Sequence, residues 1–131
     1  MEKYCLTYFL VFADAKTFDF ADFCNCLGLN FETMQDWTVI NDGVQSVEIG
    51  RNEVYDDDVN VMIRRTLKDL FGKEEILASL KNKYNLEFWL ERVPIILVGE
   101  NKPRQKLSLD TDVIAFMHKT GTRDDLDYHL C

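Results

Sequence analysis

Apolar side chains fall on both alternating sets of the first patterned segment, residues 3–12: Tyr4, Leu6, Tyr8, Leu10 and Phe12 on one, Cys5, Phe9 and Val11 on the other. With its aromatic and β-branched content, that pattern predicts a strand inside a sheet. The period then changes. Over 17–27, Phe20, Phe23, Cys24 and Leu27 recur at helical spacing, and Gly28 stands where a left-handed C-terminal cap belongs. A connector follows. Two β-prone runs, 36–41 and 44–54, flank Asp42-Gly43, a pair that favours a tight hairpin turn. Gly50 marks a bulge or the end of the second strand.

The longest helical signal covers 57–83, where Val59, Met62, Ile63, Thr66, Leu67, Leu70 and Phe71 step in threes and fours. Gly72 interrupts, and Ile76, Leu77, Leu80 and Tyr84 resume, so the segment is one broken helix or two in succession. Residues 86–93 alternate Leu86, Phe88 and Leu90 against Glu87, Trp89 and Glu91, a strand with one covered and one wetter face. Residues 95–98 form a further short strand, which Pro94 places at an edge or a bend because proline has no N–H for a ladder. A polar loop, 101–106, leads to a brief extended stretch at 106–109. Ser108 or Asp110 then caps a helix carrying Val113, Ile114, Phe116 and Met117, which ends at Gly121. Residues 124–131 alternate Leu126, Tyr128 and Leu130 against Asp125, Asp127, His129 and Cys131, a half-buried closing strand.

The order β-α-β-β-α-β-β-α-β, with three amphipathic helices needing shelter, predicts an α+β fold: a mixed, largely antiparallel sheet with the helices packed on it. No linker or repeat divides the 131 residues, so 1–131 is expected to be one domain. Apolar residues make up 47% of the chain, with nine Phe, five Tyr and two Trp, enough to form a core without staples.

Charge narrows the partners. A net charge of −8 repels phosphate and anionic lipid, so neither nucleic acid nor a membrane surface is expected to bind. The balance serves solubility, or steering toward a basic protein. The start of the chain lacks a basic leader and cleavage site, and the longest apolar-leaning run, 4–13, is about half of the ~20 residues that span a bilayer. The expected compartment is the cytoplasm, with the four cysteines reduced. Cys24 and Cys26 fall about 200° apart around a helix, so they cannot jointly hold a metal.

Short markers run along most of the chain: Leu27-Gly28-Leu29, Trp37, the helix from Asp57, Leu107-Ser108-Leu109-Asp110 and Leu126-Asp127-Tyr128. In this layout the chain resembles a bacterial family of small cytoplasmic proteins, the domain of unknown function numbered 4279. The resemblance implies a fold and a compartment, and no activity. The chain departs from it between Leu29 and Trp37, where Phe31-Glu32-Thr33-Met34 replaces a Lys-Gly-Asp-like turn.

Asp125, Asp127, His129 and Cys131 project from one face of the last strand about 6 to 7 Å apart, too widely for adjacent members to share one ion easily. Solvation of a terminal strand explains them without a metal. Asp56, Asp57 and Asp58 read as caps of the helix that follows, and with Glu53 they offer an acidic patch. His118 fits the cation-favouring end of a helix. Trp37 and Trp89 are expected in the core or a groove. Trp89 shares its strand face with Glu87 and Glu91, an aromatic anchor among carboxylates of the kind found in interaction hot spots.

No catalytic residue, metal site or cofactor motif is legible, and no Gly-rich phosphate loop follows any strand. The expected function is a non-enzymatic, acidic protein-interaction domain, an immunity-type or inhibitory partner of a basic protein, with Trp89, Glu87, Glu91, Asp125, Asp127 and His129 as the contact residues. Self-association into a homo-oligomer is compatible with this reading. The alternative is a small-ligand or metal-binding domain using a concave sheet face.

Overall fold

The computed structural model describes residues 5–56, 58–96, 108–126 and 129–130. The expected second half of the strand at 95–98, the loop at 101–106, the stretch 106–107, Asp57, Asp127, Tyr128 and Cys131 lie outside the described residues.

The sheet is built around its first strand. β1 (Cys5–Asp14) runs antiparallel to β3 (Val44–Asn52) on one side and to β4 (Glu87–Ile96) on the other. β2 (Thr38–Asn41) adds the edge beside β3, while β5 (Arg123–Leu126) and β6 (His129–Leu130) both run parallel to β4. The order is β2-β3-β1-β4-β5, with β6 also on β4, a mixed and mainly antiparallel α+β arrangement. Among the described residues, no helix is long and apolar enough to cross a membrane.

Period-two alternation decides which face is covered. Phe9 and Val11 of β1, Val47 and Ile49 of β3, and Phe88 and Leu90 of β4 form one continuous core with the helices. Phe9 lies 5.5 Å from Phe88 and 6.2 Å from Phe116, ring centre to ring centre, so three elements meet at one aromatic. Tyr8, Leu10 and Phe12 of β1 and Glu87, Trp89, Glu91 and Val93 of β4 point the other way, and among the described residues no helix covers them.

Asp42 and Gly43 both adopt positive φ, 51° and 77°, which is the tight hairpin turn expected of the pair. Gly50 sits at a bulge: Phe9 faces Gly50 while Leu10 faces Glu48, leaving Ile49 as the extra residue. A Cβ on Gly50 would lie 2.3 Å from the Thr66 carbonyl oxygen, so glycine here is what lets the helix layer approach the sheet.

Among the described residues, five helices stand where three were expected. α1 (Phe20–Leu27) begins three residues later than the periodicity implied, because Asp19 is its cap and accepts a hydrogen bond from the Asp22 amide at 3.0 Å. α2 (Phe31–Gln35) occupies what reads as a connector; five residues are too few to show a helical period, and Asn30 caps it through the Thr33 amide. The long helical signal is two helices, α3 (Val59–Thr66) and α4 (Glu74–Tyr84), and α3 already ends before Gly72. α5 (Thr111–Thr120) stops at Gly121 as expected. Asp110 precedes it, with its carboxylate on Arg64 rather than on the helix amides.

Residues 95–96 of the strand expected at 95–98 instead continue β4, which runs through Pro94 to Ile96 in the interior of the sheet. Described pairing of β4 ends with β5 at Arg92 and resumes with β6 at Ile95, so Pro94 stands between the two paired stretches. That is how an interior strand carries a residue with no donor.

Candidate functional site

The sheet face turned away from the helices carries the candidate site. Strand registers put Leu10 beside Trp89 and Phe12 beside Glu87, then Trp89 beside Arg123 and Glu91 beside Asp125. Side chains from β1, β4 and β5 therefore meet on one level surface. Leu10, Phe12, Glu87, Trp89, Glu91 and Asp125 line a hollow of about 370 Å³.

Its floor is aromatic. The Phe12 and Trp89 rings meet edge to face, centres 6.5 Å apart, and this fixes the orientation of the indole. Trp89 Nε1 donates to Glu87 Oε2 at 3.4 Å. The Arg123 guanidinium lies over the indole, 5.3 Å from its centre, with Nη2 4.0 Å from Glu87 Oε1. Glu91 and Asp125 stand level on neighbouring strands, where like charges repel and a cation between them is favoured.

A second aromatic group lies across β1 on the same face. Arg51 follows the bulge, faces Tyr8, and places its guanidinium 5.0 Å from the Tyr8 ring centre and 5.3 Å from that of Trp37. It pairs with Glu48 at 3.3 Å and with Glu53. Burial pushes the Glu48 carboxyl above its ordinary value, against the opposing pull of Arg51. Burial likewise raises the Tyr8 hydroxyl.

Of the six contact residues expected from sequence, Glu87, Trp89, Glu91 and Asp125 come together here. Asp127 lies outside the described residues, and His129 is described only by its backbone, which stands opposite Ile95 in the register. Trp37, expected in the core or a groove, is 46% exposed and lines a hollow of about 210 Å³ with Arg51 and Arg65. Asp56 and Asp58 do act at the start of α3, where Asp58 accepts from the Asn60 amide at 3.0 Å and Asp56 from the Asp58 amide at 2.9 Å. Asp56 also pairs with Arg65 and Glu53 with Arg51, so the acidic patch expected there is partly neutralised. Among the described residues, no group of three or more His, Cys, Asp and Glu is placed to hold a metal ion. Cys24 is buried and Cys26 exposed, on opposite sides of α1, and burial pushes the Cys24 thiol up to about 11.

Sequence reasoning missed the arginines. Arg123 joins the site only because β5 lies parallel to β4 in this register, and register is not written in local pattern. Arg92 continues the covered set Leu86, Phe88 and Leu90; it is 5% exposed and binds Asp124 through two bonds of 2.9 and 2.6 Å. The alternation alone placed a guanidinium in the core and so called for a carboxylate partner.

No family model, curated protein or solved structure matches the chain. The described residues form an α+β fold with one helix-covered sheet face and one aromatic, acid-rimmed face that none of the described helices covers.

Proposed function

We propose that the chain is a non-enzymatic interaction domain that takes a basic protein on the open face of its sheet, in the manner of an immunity-type or inhibitory partner. The observation that carries this reading is the placement of Trp89, half-buried and oriented by Phe12, in a hollow rimmed by Glu87, Glu91 and Asp125. An oriented aromatic surrounded by desolvable polar groups is the composition of a binding hot spot. A net charge of −8 steers a basic partner toward the protein, and the rim carboxylates give the encounter its register.

The test is selection of random dodecapeptides on the immobilised protein. Selected peptides should carry Arg or Lys beside an apolar residue, and their affinity should fall as salt rises. Trp89→Ala should weaken binding by roughly 30-fold, the loss typical of a hot-spot aromatic. Because Trp89 lies on the open face, the variant should keep its far-UV spectrum. Enrichment of acidic peptides, or equal binding to Trp89→Ala, overturns the proposal.

A further inference from the structure

We infer that the outer edge of β2 is a strand-addition site, and that its occupant is an extended segment of another protein with an apolar centre and a basic residue at each end. The inference is independent of the Trp89 hollow, because β3 and β1 stand between that part of the sheet and this edge.

The backbone leaves the edge open. The Glu48 amide donates to the Trp37 carbonyl at 3.2 Å, and the register sets Val39 opposite Ser46 and Asn41 opposite Val44. An antiparallel ladder bonds every second residue, so Trp37, Val39 and Asn41 turn their polar groups to β3, and Thr38 and Ile40 turn theirs outward. Among the described residues, no strand pairs with that outer side. The sheet guards its two ends unequally. At the far end β5 reads Arg123-Asp124-Asp125-Leu126, and charge on an edge strand deters a further strand. β2 reads Thr38-Val39-Ile40-Asn41, with neither charge nor proline. Its apolar side chains meet water on both faces: Val39 is 62% and Ile40 63% exposed, and Trp37 and Val44 beside them are exposed as well. Open backbone groups flanked by alternating apolar side chains are what an added strand needs, the ladder giving affinity and the side chains choosing the sequence.

Charge selects the occupant. Asp36 and Asp42 bracket β2; both are exposed, and among the described residues neither has an ion pair. A second copy of the chain pairing through this edge would set Thr38 against Ile40 of the second copy. The same register sets Asp36 against Asp42 of the second copy at both ends, between chains that each carry a net charge of −8. Like charges directly opposite are destabilising. A segment with Lys or Arg six residues apart, the separation of Asp36 and Asp42, and β-branched residues between them meets attraction at both ends instead.

The probe is the peptide Lys-Val-Thr-Val-Thr-Val-Lys, blocked at both termini, titrated into the isotope-labelled protein and followed by backbone amide shifts. Shifts should concentrate at residues 37–42. Laid antiparallel, its two threonines stand opposite Thr38 and Ile40. N-methylation of both threonine amides should weaken binding by more than about 30-fold, and N-methylation of the central valine, whose amide faces away, by less than about threefold. Glutamate in place of both lysines should cost about tenfold. Ile40→Pro removes an outward donor that the ladder to β3 does not use, so it should abolish binding and keep the far-UV spectrum. Trp89→Ala should bind the probe unchanged; loss of binding there would place the peptide on the open face and overturn this inference while leaving the proposed function standing. Absence of shifts at 37–42, equal binding of the two methylated probes, or equal binding of the glutamate probe overturns it too. So does a concentration-dependent dimer in sedimentation that Ile40→Pro removes, which would assign the edge to a second copy.

Discussion

Removing the carboxylate from Asp124 should cost the fold far more than removing the arginine it holds. Arg92 lies on the helix-covered face at 5% exposure, level with the buried Thr7, and Asp124 meets it with two bonds at 2.9 and 2.6 Å. Asp124→Asn keeps the shape but removes the carboxylate that meets the guanidinium through two bonds. Breaking a buried pair in this way costs about 3–5 kcal/mol. Asp124 itself is 31% exposed at its side chain, so water reaches that end and the expected cost is lower, about 2–4 kcal/mol. Arg92→Met removes the group that was expensive to bury, fills similar volume, and leaves a carboxylate able to turn to solvent. Its expected cost is about 0–1.5 kcal/mol.

Urea unfolding followed by far-UV circular dichroism measures both, and thermal melts check them. For a chain of 131 residues each kcal/mol moves Tm by about 3–4 °C, so Asp124→Asn should melt roughly 7–15 °C lower. The ordering is the test. If Arg92→Met proves the more damaging of the two, or Asp124→Asn costs under about 1 kcal/mol, the pair is not what keeps Arg92 in the core.

Three further outcomes follow from packing and charge. Gly50→Ala should destabilise by about 1–3 kcal/mol in urea, because the new methyl meets the Thr66 carbonyl and α3 must retreat; an unchanged midpoint would mean the helix is not seated as described. Asn60 is fully buried, donating to Asp58 at 2.8 Å and to the Ser108 carbonyl at 2.9 Å and accepting from the Asp110 amide at 2.7 Å. Asn60→Ala should therefore cost about 2–4 kcal/mol, with amide exchange rising first at residues 110–113; uniform exchange across the chain would contradict this. Glu48 has its carboxyl raised by burial, so the fold prefers it neutral. That contribution is whole below its unfolded value near about 4.3 and is lost as pH rises through the higher folded value. Glu48→Gln should then stabilise at pH 7 and be neutral at about pH 4, and destabilisation at pH 7 would show that the Arg51 pair outweighs burial.

The parts of the fold legible in the sequence were those set by local period. Alternation along 86–92 separated the covered side chains from the wetter ones, Asp42-Gly43 declared the hairpin, and Gly28 and Gly121 ended their helices. Cap chemistry set the actual starts, which is why α1 waits for Asp19 and α2 arises from Asn30 in five residues too short to show a stripe. The site was half legible for a related reason. Glu87, Trp89 and Glu91 share one strand, so their common face follows from alternation, but the arrival of Arg123 and Asp125 beside them depends on a parallel register that only the assembled sheet defines. Continuity of β4 through Pro94 escaped notice because proline argues for an edge unless the pairing on either side is known.

The strand at the middle of the described sheet comes earlier in the chain than the strands on either side of it. β1 leaves the ribosome before every strand it pairs with: Phe9 must wait for Gly50 on one side and for Leu90 on the other. The hairpin of β2 and β3 forms locally, while the central ladders close over long loops and so form slowly. Phe9 and Val11 accordingly remain without their sheet neighbours until β4 has emerged, and that interval is when a chaperone has its best hold on the nascent chain.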